Sequence, residues 1–168
     1  MLSVTEARER MLSHFQPVAT ESIPLIACAN RVLAADITAA HDFPLFNNSS
    51  MDGFAVNTGG SPIASHITLR VVADLPAGST PQVTLAPGEA ARIMTGAQVP
   101  EGATAVIPVE DTDFNSREAG TTAPPTVSFE REVKTGENIR LRGTDLHAGD
   151  IVLQKGRILK AQDLGLLA

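Results

Sequence analysis

From residue 21 onward the chain is written in short apolar runs separated by glycine- and proline-containing turns, at a spacing of roughly ten residues. That pattern restricts it to a mainly β, mostly antiparallel architecture with few helices. The expected strands are residues 23–26, 32–37, 54–56, 67–72, 90–94, 105–109, 126–129, 151–153 and 157–159, with 30–35 also readable as a short helix. Turn-forming residues bound them at 57–62, 75–78, 86–88, 99–102 and 155–156. No strand–helix–strand alternation and no internal repeat occurs. Residues 111–125 are polar and loop-like, a hairpin tip or surface excursion.

Two ends of the chain depart from this pattern. Ser3-Val4-Thr5-Glu6 forms a capping box, and Val4, Ala7, Met11, Leu12 and Phe15 follow at helical spacing, with Pro17 limiting the helix. No second strong amphipathic helix follows to receive that apolar stripe. At the other end, Gln162 and Asp163 stand near the start of a second helix that runs to Leu166-Leu167-Ala168 without a cap or polar exit, as if the element continued further.

Composition removes several function classes. With 43% hydrophobic and 19% charged residues over 168 positions, the chain has a globular composition and enough length to bury a core. The absence of Trp and Tyr, with six Phe, argues against base stacking, and a net charge of −6 argues against bulk binding to nucleic acid or a membrane surface. The charge is uneven: residues 130–160 hold 7 of the 13 Lys and Arg. Cys28 is alone in an apolar run, so no intrachain disulfide forms; a small buried residue and a reducing, cytoplasmic compartment are expected. The four His never stand at zinc-ligand spacing, and no apolar stretch is long enough to span a membrane.

Three segments carry chemistry-bearing residues. Residues 44–56 (PLFNNSSMDGFAV) place Asp52 at a tight connection before a strand. Turn chemistry accounts for Asn, Ser, Asp and Gly there, and so does a carboxylate presented to a hard cation such as Mg²⁺. Residues 88–102 run a strand into Thr95-Gly96, where a hydroxyl and backbone amides are able to meet an oxyanion; a P-loop pattern is absent. In residues 136–146 (GENIRLRGTDL), Arg140 and Arg142 alternate with Ile139 and Leu141. Two guanidiniums on one strand face suit a phosphate, and a solvated face with Asp145 as local counter-charge is equally consistent.

In this order the three segments resemble the N-terminal part of the molybdopterin molybdenumtransferase family, the MoeA-type enzymes and the E domain of gephyrin. The resemblance runs across essentially the whole chain. It departs at Asn47, Ser50, Phe54, Thr104 and Thr144, where the family favours Asp, Ala, Tyr, Asp and Glu. It implies an N-terminal helix (1–19) that packs on a downstream domain, a discontinuous elongated β domain (20–40 and 138–168), and an inserted β-barrel-like domain (41–137). It also implies a cytoplasmic homodimer that inserts molybdenum from molybdate into adenylylated molybdopterin with help from Mg²⁺. On that resemblance Asp52 and Thr95 are the catalytic candidates, Asp52 the Mg²⁺ candidate, and Ser49, Arg140 and Asp145 the substrate-binding candidates. A fragment of such an enzyme would be inactive alone; the other reading is a stand-alone β module for binding or assembly.

Overall fold

The computed structural model describes residues 2–16, 18–59, 66–114 and 120–168. The chain divides into two compact units, Ala39–Asp150 and Met1–Thr38 together with Ile151–Ala168. The second crossing between them lies later than the expected 137/138. Residues 138–150 stay with the central unit because they pair back onto its start: Ala39 and Asp150 are joined through N–H···O at 2.9 Å, and Phe43 and Leu146 form a bridge.

The central unit is built on a five-stranded sheet of β3 (Gly53–Val56), β4 (Ile67–Leu75), β5 (Glu89–Ile93), β6 (Ala105–Pro108) and β7 (Thr126–Phe129). Their order is β6-β3-β5-β4-β7; β4 and β5 run parallel and the other pairs antiparallel. The sheet remains open, a curled half-barrel with β6 and β7 at its edges. Both faces are covered, which explains why β3 reads GFAV and β6 AVIP as continuous apolar runs instead of alternating ones. Phe54, Val56, Leu69, Ile107, Val127 and Phe129 fill one side, while Ala55, Leu75, Leu85, Ile93 and Val106 fill the other. The edges are occupied too. Val106 N–H donates to Glu137 C=O (2.8 Å) along β6, and Asp113 N–H donates to Ser128 C=O (3.0 Å) along β7. Part of the expected excursion at 111–125 is therefore structural. A 3₁₀ turn at Val109–Asp111 leads to Phe114, whose ring meets Phe54 edge-on with centroids 5.8 Å apart. The segment 115–119 lies outside the described residues.

Two further short strands, β2 (Asn48–Ser49) and β8 (Ile139–Arg140), pair antiparallel as a separate ribbon of this unit. β2 does not stand out in the sequence, since two polar residues carry no periodicity, and β8 keeps only the first half of the strand expected over residues 139–142.

In the flanking unit the expected strands at 32–37 and 157–159 shrink to an irregular ribbon. Only β1 (Ile37–Thr38) and β9 (Ile151–Leu153) pair as strands, with a register shift between Ile37 and Thr38 and a Val32–Ile158 bridge further along. Asp36 breaks the ladder by accepting Lys155 N–H on its carboxylate at 2.7 Å. Residues 23–26 are not a strand: Pro24 leads into a 3₁₀ turn at Leu25–Ala27, and Cys28, half-buried at its end, points its thiol to Pro24 C=O (3.4 Å). Helix α1 (Val4–Leu12) has the expected capping box, Glu6 N–H to Ser3 Oγ at 3.2 Å and Ser3 N–H to Glu6 carboxylate at 2.7 Å. Helix α2 (Ala161–Leu167) begins as expected, and Asp163 accepts the Lys160 amide at 2.9 Å and Arg157 Nε at 3.0 Å. No helix among the described residues is long and apolar enough to cross a membrane.

Candidate functional site

The three motif segments converge at one end of the central sheet. The strip Asn47–Ser49 is the centre of the arrangement. On one side Val99 N–H donates to Asn47 C=O (2.9 Å), Ser49 N–H to Ala97 C=O (3.0 Å) and Gly96 N–H to Ser49 C=O (2.8 Å). On the other side β2 pairs with β8, setting Asn48 opposite Arg140 and Ser49 opposite Ile139. Residues separated by about half the chain thus share one backbone network, which no local pattern announces.

Asp52 and Thr95 follow from the register of β3 and β5. Gly53 stands opposite Ile93, so the residue before β3 and the turn after β5 are neighbours. Asp52 Oδ1 accepts both the Thr95 amide and the Thr95 hydroxyl, each at 2.7 Å. Two donors on one carboxylate oxygen fix its orientation. Gly53 is required next to it: a methyl group there would overlap the Ile107 carbonyl of the neighbouring strand.

Arg140 is ion-paired with Asp145 across the turn that follows β8. Arg142 does not share its face. The strand ends at Arg140, the chain turns at Gly143 (φ +75°), and the Arg142 guanidinium pairs with Asp42 at 2.7 Å instead. The expected twin-guanidinium strand face is therefore absent, because each Arg has its own carboxylate. The local excess of bases is offset in the same way elsewhere: Arg131 pairs with Asp111 and Glu137, and Arg157 with Asp163. Ser49 is 1% exposed, and its hydroxyl both donates to Met51 C=O and accepts Met51 N–H at 3.2 Å. It faces its own turn and offers no surface to a ligand.

Two of the positions that depart from the resembled pattern, Asn47 and Thr104, serve the backbone. Asn47 Oδ1 accepts Arg142 N–H at 2.8 Å, and Thr104 Oγ1 accepts Thr58 N–H at 2.8 Å. A neutral acceptor is sufficient for either job.

Magnesium takes oxygen donors, generally one or two carboxylates completed by substrate phosphates and waters. Among the described residues no group of three or more His, Cys, Asp or Glu side chains converges. Asp52 supplies one carboxylate of the kind such an ion takes, and the described residues around it do not form a protein-only cage. Asp42, which carries no motif signal, accepts hydrogen bonds from Arg142 and Ala148 on the far side of the turn that follows β8.

Residues 2–168 match the family described as MoeA N-terminal region (domain I and II). A Haemophilus influenzae molybdopterin molybdenumtransferase is 40% identical over 169 residues, covering all of this chain and 40% of the relative. A Mycobacterium tuberculosis molybdopterin molybdenumtransferase 2 is 37% identical over 171 residues, with the same coverage. The crystal structure of a molybdopterin biosynthesis MoeA protein from Pyrococcus horikoshii superposes with a TM-score of 0.82 at 34% identity, over 97% of this chain and 42% of that one. The chain therefore spans about 40% of the length of the relatives it matches.

Proposed function

The chain belongs to the family of MoeA N-terminal regions, and from that premise we propose that it is the N-terminal part of a cytoplasmic, homodimeric molybdopterin molybdenumtransferase. The whole enzyme inserts molybdenum from molybdate into adenylylated molybdopterin and cleaves the adenylyl phosphoanhydride. The observation that carries this reading is the convergence of Asp52, Thr95, Arg140 and Asp145 around the Asn47–Ser49 strip, in a chain matched to the family across its length.

The reaction asks little covalent work of the protein; positioning and charge stabilisation are the main requirements. Asp52, oriented by Thr95, would hold Mg²⁺ together with phosphate oxygens. When bound, that ion neutralises developing charge on the phosphoanhydride. Thr95 Oγ donates its proton to Asp52 and keeps lone pairs to accept a hydrogen bond from substrate or water. Arg140 is half-exposed and uses one edge on Asp145, which leaves further guanidinium N–H donors for a phosphate or molybdate oxygen. Ser49 shapes the turn that presents Asp52.

In the full-length protein, Asp52→Ala and Thr95→Ala are expected to slow molybdenum insertion by about 10–100-fold, with unfolding unchanged to within about 1 kcal/mol. Wild-type insertion rates in both variants would overturn the assignment. The 168-residue chain by itself is expected to leave adenylylated molybdopterin intact; turnover by the purified chain would show that the site is complete within it.

A further inference from the structure

Asp42 lies outside all three motif segments, yet its carboxylate gathers the turn that carries Asp145. Oδ2 accepts Arg142 Nε at 2.7 Å from a residue 100 positions away, and Oδ1 accepts the Ala148 amide at 2.9 Å. His147 Nδ1 stands 3.8 Å from the same Oδ1. The Ala148 amide and the Arg142 guanidinium hold the Asp42 carboxyl below its ordinary range, so it stays charged at neutral pH. Between Arg142 and Ala148 the chain is folded tightly. At Gly143 a Cβ would come within 2.7 Å of the His147 ring, and Gly143 N–H donates to Pro44 C=O at 3.0 Å. The Asp145 and Leu146 amides both donate to Phe43 C=O, at 3.0 and 3.2 Å.

The Arg140–Asp145 pair is itself half-exposed on both sides, and exposed ion pairs hold geometry weakly. Its orientation must come from the backbone on which the two residues sit. We infer that Asp42 is a positioning residue for this pair: by anchoring both flanks of the 142–148 turn onto the segment before Phe43, it fixes where Asp145 meets Arg140 and so where the Arg140 guanidinium faces an oxyanion. This role rests on the reading that Arg140 and Asp145 handle the substrate.

The clamp and its use are tested separately. In the 168-residue chain, Asp42→Asn and Arg142→Gln should each accelerate amide hydrogen exchange at Gly143, Asp145 and Leu146 by about tenfold, leaving the β3 and β5 amides unchanged as a check on folding. Unaltered exchange at those three amides would overturn the inference. In the full-length protein, Asp42→Asn should raise KM for adenylylated molybdopterin about tenfold with kcat within about twofold, and add nothing in an Asp145→Asn background. Additive losses, or a fall in kcat alone, would sink the positioning role. An Asp145→Asn variant with unchanged KM, alongside accelerated exchange in Asp42→Asn, would remove the substrate reading of the pair and with it the catalytic part of Asp42, leaving a clamp without that use.

Discussion

The two units of this chain handle apolar residues in opposite ways. Among the described residues, all the buried hydrophobic ones except Leu153 and Leu159 belong to the central unit, where Phe54, Ile107 and Val127 are fully enclosed. The flanking unit leaves Val4, Met11, Phe15, Ile26, Val32 and Ile151 exposed, and none of the residues of α1 is buried. The contrast teaches that a helix forms here from local terms, a capping box and helical spacing, whereas the sheet forms from enclosure on two faces. The candidate site sits on the enclosed unit, at exposed positions whose backbone is set by the register of packed strands. Loss of a core residue should therefore matter far more in one unit than loss of an apolar residue in α1.

The largest effect is expected at Phe54→Ala, which removes a fully buried ring and its edge contact with Phe114. Unfolding measured in urea should lose about 3–5 kcal/mol. A loss below about 1 kcal/mol would erase the contrast between the units. Gly53→Ala comes next, because its methyl group must displace the Ile107 backbone. About 1–3 kcal/mol should be lost, together with the Thr95–Asp52 contact, visible as faster exchange of the Thr95 amide.

A smaller effect concerns acid and the flanking unit. The Asp163 carboxyl lies below its ordinary value, held down by the Arg157 guanidinium and then the Lys160 amide. A carboxyl whose folded pKa is depressed stabilises the fold above its unfolded pKa, near about 4, and that contribution is lost as pH falls through the lower folded value. The protection of α2 amides relative to their intrinsic exchange rate should thus fall below pH ~4 while that of the central strands holds, and Asp163→Asn should remove that acid dependence. Unchanged α2 protection through that range in the unsubstituted chain would contradict it. The smallest effect is expected at Phe15→Ser, 73% exposed, within about 0.5 kcal/mol by thermal unfolding of this chain. A loss above about 1 kcal/mol would mean that the apolar side chain just past α1 is covered in solution.

Much of the fold was legible. Strands at 54–56, 126–129 and 151–153, both helices and the capping box followed from periodicity and turn residues, because those signals are local. The failures share a cause. Residues 23–26 are apolar enough for a strand but have no partner, and Pro24 turns them into a 3₁₀ segment. The strand at 48–49 exists only because it meets the one at 139–140, of which the alternation over 139–142 gave the start but not the end. Among the candidate site residues, Asp52, Thr95, Arg140 and Asp145 were visible through the motif resemblance. Asp42 was not, since its partners lie 100 and 106 residues away.

By itself the sequence determined a mainly β chain with a capped helix at its start, the turns between its apolar runs, and the residue types available for phosphate chemistry. Tertiary structure alone decided which of them act together. It split Arg140 and Arg142 between Asp145 and Asp42, turned Ser49 inward, and brought Thr95 onto Asp52 through the register of two strands. The physical reason is range: propensities and caps are set within a few residues, whereas an ion pair or a strand register depends on which distant backbone the chain has already folded against.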